Sequence, residues 1–210
     1  MMADGKMNEF IKVLSSAEPV PGGGGASGYA AAIGMALGSM VANLTTGKKK
    51  YAQYQEEIEQ ILVDADKITA ELMEFMDKDA EAFEPLSKAY GLPKNTEEEI
   101  AERTRIMEQA LKAASEAPLA LMEKIMEALE LILRLSEIGS RIAISDAGVG
   151  AQMCKAALNG ASLNVFINTK LMKDRAVAQE MNQRADELLA KGNQMADEAY
   201  DKVVKAIRGE

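Results

Sequence analysis

No histidine occurs anywhere in this 210-residue chain. That absence removes Ser-His-Asp and Cys-His chemistry, histidine-ligated metal sites and the usual proton shuttle near neutrality. Any acid–base work falls to Asp, Glu, Lys, Tyr or Cys. The single cysteine, Cys154, excludes an intramolecular disulfide framework and fits the reducing cytoplasm. It has no basic partner nearby in sequence and reads as a small buried apolar residue. Only 4% of residues are aromatic, and no useful run alternates polar with apolar, so sheets are not expected. Positive charge is also short. With 24 basic against 33 acidic residues the net charge is −9, without the basic footprint of general nucleic-acid binding. The opening residues MMADGKMNEFIKVL hold no long apolar core, so no secretory signal is expected.

Charge is most conspicuously missing between Pro19 and Gly47, in a chain that is 27% charged overall. The surrounding stretch, Pro21 to Tyr51, reads PGGGGASGYAAAIGMALGSMVANLTTGKKKY. It is long enough to span a bilayer, but its Ala, Gly, Ser and Met content would gain little there. A central helix of a soluble bundle, covered on every side, is the better expectation, and no membrane partner is implied. Ser27, Ala31, Gly34, Gly38 and Ala42 form a stripe of small residues; Ile33, Leu37, Met40 and Leu44 form the opposite, bulky stripe. Each interior glycine costs about 1 kcal/mol relative to Ala. Two of them one turn apart suggest that another backbone or a flat ligand comes close.

What is plentiful favours helices: 48% hydrophobic residues, 14 of them Met, with abundant Ala and Leu. A short helix is expected over residues 4–15, a loop over 16–25, and the small-residue helix to about Thr45. Tyr51, Tyr54, Ile58, Ile61, Ala65, Ile68, Leu72 and Phe75 then recur at alternating spacings of three and four, one continuous buried seam. The next seam position is Asp79, a carboxylate where an apolar residue belongs. Pro85 should kink or end this helix, with Gly91 and Pro93 making the turn. Thr96 and Glu99 form a capping box for the following helix, whose seam is Ile100, Arg103, Met107, Leu111, Ala114, Pro118, Leu121 and Ile125. Arg103 interrupts it as Asp79 interrupts its predecessor. A bend is expected at Pro118 and a stop at Gly139. Ser145 and Asp146 can cap a further helix, with a seam of Val149, Met153, Ala156, Gly160, Leu163 and Ile167, and Asn164 and Asn168 beside it. A charged amphipathic helix from about Asp174 to Ile207, broken near Gly192, closes the chain. The fold expected is all-α: an antiparallel multi-helix bundle with a long central helical hairpin and a buried Gly/Ala-rich helix, forming one domain over 1–210.

Three constellations carry candidate chemistry. Gly23-x-Gly25-x-x-Gly28 matches the dinucleotide fingerprint by letter, but lacks a preceding strand and an acidic residue some 20 positions on. What remains is a glycine-rich helix N-terminus with free N–H groups, able to hold a carboxylate or carbonyl, or else simply a tight loop. Lys48, Lys49 and Lys50 either complement a helix C-terminus or attract an anionic small molecule. Asp79 is either a carboxyl whose apolar surroundings raise its pKa into the acid–base range, or one half of a buried ion pair with Arg103.

Together these residues resemble the cyclodeaminase family of folate enzymes, across nearly the whole chain. The resemblance rests on PGGG at 21–24, MVANLTTGKKKY at 40–51, DAEAF at 79–83, Arg103, Pro118, SDAGV at 145–149, and Asn164 with Asn168. The chain departs from the family's pattern at Gly25, where Ser follows the three glycines; Ser27 is the nearest substitute. No formiminotransferase domain accompanies these residues, so the likeness is to the stand-alone bacterial form. The resemblance implies a cytoplasmic all-helical homodimer acting on a tetrahydrofolate derivative, with no metal and no cofactor beyond that substrate. The implied reaction is cyclisation of 5-formiminotetrahydrofolate to the 5,10-methenyl form with loss of ammonia. The alternative is the methenyltetrahydrofolate cyclohydrolase reaction, giving 10-formyltetrahydrofolate. A non-enzymatic helical binding module, with Asp79 and Arg103 paired and no pocket beside Lys48, is the rival outside catalysis. On the enzymatic reading Asp79 is the acid–base and Lys48 assists proton transfer or fixes its charge. Gly22, Gly23, Gly24 and Asn43 hold the pterin side, Lys50 holds the glutamate carboxylates, and Tyr51, Asp146, Asn164 and Asn168 complete the substrate site.

Overall fold

The computed structural model describes Met2 and residues 5–210. Its elements are α1 (Met7–Leu14), α2 (Gly23–Asn43), a 3-10 helix (Lys49–Tyr54), α3 (Gln55–Tyr90), α4 (Glu97–Ile138), α5 (Ile144–Thr169) and α6 (Arg175–Arg208). No strand occurs among the described residues, in accord with the all-α expectation. Residue 4, the expected start of the first helix, lies outside the described residues.

The seam of α3 is buried as its spacing requires: Ile58, Ala65 and Leu72 are fully covered, and Ile61, Ile68 and Phe75 nearly so. It packs against α4, capped by the Thr96 hydroxyl accepting from Glu99 N–H while the Glu99 carboxylate accepts from Thr96 N–H. The seam of α4 is buried from Leu111 onward, but Ile100, beside the turn that joins α3 to α4, is exposed. Neither proline ends its helix. Pro85 stands on an exposed face, where the carbonyl it leaves unpaired reaches water, and Pro118 is accommodated in the core for a reason given below. Gly139 does stop α4.

The small stripe of α2 meets a close backbone, and the backbone is that of α5. A Cβ at Gly34 would lie 2.8 Å from the Gly150 carbonyl oxygen and 2.6 Å from Cys154 Sγ. The helices run antiparallel, since Gly23 lies beside Asn164 and Gly34 beside Gly150. The expected seam of α5 is overturned: Val149, Leu163 and Ile167 are exposed, while Ala147, Gly150, Ala151, Cys154, Ala157 and Ala161 are inside. Helix α5 is apolar nearly all round, so periodicity alone could not choose its inner face. Close approach to α2 selects the small side chains and leaves the bulky ones outside. The same inversion leaves Ile33, Met40 and Leu44 exposed on α2.

Helix α2 is long and apolar enough to cross a membrane by composition, yet over half of its most apolar window is covered by protein. Helix α6 is capped by Asp174, whose Oδ1 accepts from Ala176 and Val177 N–H. It runs unbroken through Gly192, where any side chain would strike Leu158 and Met126. Cys154 is fully buried, and desolvation pushes its thiol up to about 12, which makes it inert.

Candidate active site

The glycines are not a loop. Gly22 is the N-cap and Gly23 to Gly25 are already the first turn of α2. The N–H groups of that turn have no carbonyl within the helix to bond. Gly25 N–H donates to Asp79 Oδ2 at 3.1 Å, so the carboxylate reached from α3 serves as a cap on α2. The approach is so close that a methyl group at Gly24 would overlap the Asp79 carboxyl. Ser27 does not replace the family's serine at 25. Its hydroxyl donates to Gly23 O within α2 at 2.8 Å.

Beside Asp79 opens a cavity of about 230 Å³, bounded by Gly22 and Gly23 of α2, Phe83 of α3, Ala114 of α4, and Asn164, Ile167 and Asn168 of α5. Burial pushes the Asp79 carboxyl above its ordinary value, and the Gly25 N–H opposes this only in part. No cation contributes, so Asp79 and Arg103 are not paired; Arg103 Nε is itself buried without a hydrogen-bond partner. The ion-pair alternative is thereby removed.

Asn168 is placed by Pro118. A residue at 118 with an N–H would bond the Ala114 carbonyl four residues back; proline cannot. Asn168 Nδ2 donates to that freed oxygen at 2.8 Å, which fixes the amide at the cavity wall. Asn164 Nδ2 donates to Gly160 O at 3.0 Å within α5. Each amide is therefore anchored at the cavity wall through its nitrogen, by a main-chain carbonyl.

The remaining expected site residues lie elsewhere. Asn43 ends α2, whose 21 residues rise about 30 Å. Lys48, Lys50 and Tyr51 follow Asn43, and Asp146 stands in the first turn of α5, at that same far end. There Lys48 Nζ donates to Ser140 Oγ at 3.1 Å, and Arg141 N–H donates to the Tyr51 hydroxyl at 3.1 Å. That bond is the main reason the phenol's pKa is lowered. Lys50 Nζ lies 5.6 Å from the centre of the Tyr51 ring. Asn43 Nδ2 donates to Ser39 O, and neither Ser145 nor Asp146 caps α5, whose N-cap is Ala143. Within one subunit the site residues thus form two clusters, because a straight helix separates them. Phe83 and Ile167 in the cavity and Ser140 and Arg141 at the lysine end escaped sequence reasoning. Phe83 belongs to the DAEAF motif, and Ser140 follows the expected stop at Gly139, which were the available signals.

The all-helical fold and the sequence that builds this site place the chain in a known class. The formiminotransferase-cyclodeaminase family model matches residues 6–187. The chain belongs to that family, and it is an enzyme of the cyclodeaminase or cyclohydrolase kind. It is 39% identical to the methenyltetrahydrofolate cyclohydrolase of Methylorubrum extorquens, over 99% of this chain and all of that protein. It is 33% identical to the formimidoyltransferase-cyclodeaminase of Gallus gallus over 90% of this chain, but only 35% of that longer protein. The crystal structure of formiminotetrahydrofolate cyclodeaminase from Thermotoga maritima superposes with a TM-score of 0.82 at 29% identity, covering 100% of this chain and 98% of the other.

Proposed function

We propose that the chain acts at the one-carbon bridge between N5 and N10 of a tetrahydrofolate, with Asp79 as the proton carrier. The observation that carries this is the uncompensated Asp79 carboxyl at the wall of the cavity, its pKa raised by burial. A carboxyl whose pKa is raised holds a proton more readily than an ordinary carboxylate, as a proton carrier requires. Hydrolysis of the 5,10-methenyl form is put first, on the strength of the relative that matches end to end at 39% identity. Water attacks the bridging carbon and gives its proton to Asp79. The tetrahedral carbon then breaks its bond to N5, which takes that proton back, while the remaining hydroxyl proton is lost to solvent as the formyl C=O forms, leaving 10-formyltetrahydrofolate.

Cyclisation of 5-formiminotetrahydrofolate is the second reading, favoured by the full-length superposition on a cyclodeaminase. There N10 attacks the carbon of the protonated formimino group, and Asp79 moves the N10 proton to the resulting amine, so that ammonia leaves and the methenyl cation remains. In both, the unbonded N–H groups of Gly23 and Gly24 and the amides of Asn164 and Asn168 face the flat, polar pterin edge. Neither reaction needs a resident metal or redox group.

The active form is proposed to be a homodimer. The outer faces of α2 and α5 present Ile33, Met40, Leu44, Val149, Leu163 and Ile167 to the outside, with Leu163 67% exposed and Ile167 62%. The stripes adjoin, since Leu37 Cβ is 3.5 Å from where a Gly150 side chain would begin. A continuous apolar face of this kind is what a second copy would cover. The cytoplasm, where Cys154 stays reduced, is the expected site of action.

The test is an assay of purified protein with each folate, following methenyl absorbance and ammonia. Loss of methenyl absorbance from 5,10-methenyltetrahydrofolate supports hydrolysis. Gain of absorbance with ammonia from 5-formiminotetrahydrofolate supports cyclodeamination. No turnover of either folate contradicts the proposal.

A further inference from the structure

We infer that the Asp79 cavity is built for a flat, delocalised amidinium cation, with the Asp79 carboxylate as its counter-charge and the Phe83 ring as the wall against which it rests. This deepens the folate reading and rests on it for the substrate. In that reading the reacting group is such a cation. The 5,10-methenyl bridge and the protonated formimino group each spread one positive charge over N–C–N, whereas the bridge atoms of 10-formyltetrahydrofolate carry none.

Charge is the first ground. The faces that α2, α4 and α5 turn to the cavity offer glycine, Ala114 and the amides of Asn164 and Asn168. Among the described residues, no lysine or arginine lines it, and Asp79 is its only titratable group. The N-terminus of α2 opposes a cation, with about half a unit of positive charge. Asp79 bonds that terminus through Gly25 N–H, and the full charge of its carboxylate exceeds the half unit. The ionised cavity is therefore net negative and partly desolvated, with no protein cation to balance it. A ligand cation removes the cost that burial places on the carboxylate.

Shape is the second. Phe83 follows Asp79 by four residues on α3, so the two share a face about 6 Å apart along the axis. Both line the cavity, and Phe83 is its only aromatic side chain among the described residues. An aromatic face attracts a cation, most strongly when the pair is desolvated. Val20 and Ile167 extend the apolar wall, where a compact ammonium ion would leave N–H donors unpaired. A cavity of about 230 Å³ is smaller than the roughly 300–1,000 Å³ of sites that enclose a whole drug-sized ligand. It takes the reacting end of the substrate.

The substrate's charge then governs the proton. Its arrival favours the ionised carboxylate, the form able to accept one. As the oxygen of water bonds to the bridging carbon, the positive charge is quenched and the water proton passes to Asp79. Cation and carboxylate are neutralised together, so the neutral product is held less tightly than the substrate.

Benzamidinium, flat and cationic, is the probe, with benzamide as its neutral isostere. Wild type should bind benzamidinium saturably and about tenfold or more tighter than benzamide. Because burial raises the pKa of the free carboxyl, binding should release protons and tighten as pH rises through that group's midpoint. Calorimetry in two buffers of different ionisation heat measures the release. Asp79→Asn should abolish both the preference and the release. Phe83→Leu should cut benzamidinium affinity about 2–30-fold and leave benzamide nearly unchanged, while Phe83→Tyr, which keeps a ring, should retain it.

Benzamidinium that binds no better than benzamide overturns the inference. So does saturable binding that Asp79→Asn leaves intact, or a Phe83→Leu variant that weakens both probes alike. If wild type turns over neither folate, the functional reading fails while the cation preference is still decided by the probes. With turnover, Phe83→Leu should raise KM for 5,10-methenyltetrahydrofolate and leave inhibition by 10-formyltetrahydrofolate unchanged; an equal loss for both folates contradicts the role given to the ring.

Discussion

At the glycine end of the α2–α5 pair a carboxylate is held against a helix N-terminus with no cation beside it. At the lysine end, Lys48 meets the buried Ser140 hydroxyl and Lys50 a phenol ring, with both lysines themselves exposed. The same two helices build both ends. The difference is burial. In the cavity a single charge is out of water and must be tuned, whereas at the surface the charges are solvated and cost little. The buried end is thus suited to move a proton, and the exposed end to attract and hold an anion. Each substitution below asks whether that division is real.

The largest effect is expected at Asp79. Asp79→Asn is nearly isosteric and should lower turnover about 10²–10⁴-fold, the usual contribution of a positioned acid–base group. It should not destabilise the fold. The carboxyl's folded-state pKa is raised, so its contribution to stability is full below the unfolded value of about 3.9 and is lost as pH rises through the folded value. The asparagine variant should therefore melt at or above wild type near neutrality, and the gap should close in acid. A buried pair with Arg103 would instead cost about 3–5 kcal/mol on breaking, and a melting curve would show it.

Next come the lysines. Lys48→Met should mainly lower turnover. Lys50→Met should mainly raise KM for glutamated folate, and added salt should weaken wild-type binding in the same way. If both variants keep full activity and affinity, the lysine end is only a solvated helix terminus.

Gly34→Leu should reduce stability by about 1–3 kcal/mol through overpacking, since the Gly150 carbonyl leaves no room for a side chain. An unchanged melting temperature would show that the α2–α5 approach is not tight. The smallest effect on turnover belongs to Pro118→Ala. Restoring the N–H gives the Ala114 carbonyl a second donor in competition with Asn168. The helix should gain stability, by up to about 3 kcal/mol, while turnover falls several-fold. Full turnover in that variant would show that the freed carbonyl does not position Asn168.

The seam of α3 was legible because it is a strict three-four stripe on an otherwise polar helix, and Asp79 was legible as the fault in that stripe. The inner faces of α2 and α5 were only half legible. The small stripe of α2 did mark a close backbone, but on α5 the bulky residues suggested the core and proved to be its outside. Pattern reading assigns large apolar side chains to the interior. That fails where two backbones meet through glycines and a second apolar surface is left over. The split between Asp79 and Lys48 was not legible either. Both lie in motifs of the family, and motif order carries no distance; it took the length of α2 to part them.

The central claim is that Asp79 is an unpaired, desolvated proton carrier, and carbon-13 titration of its side-chain carboxyl tests it most directly. The signal is assigned by its absence in Asp79→Asn. The midpoint should lie above the ordinary carboxylate value of about 3.9, and Arg103→Met should leave it in place. A midpoint below that value, moving upward when Arg103 is removed, would mean that the carboxylate serves an ion pair rather than proton transfer.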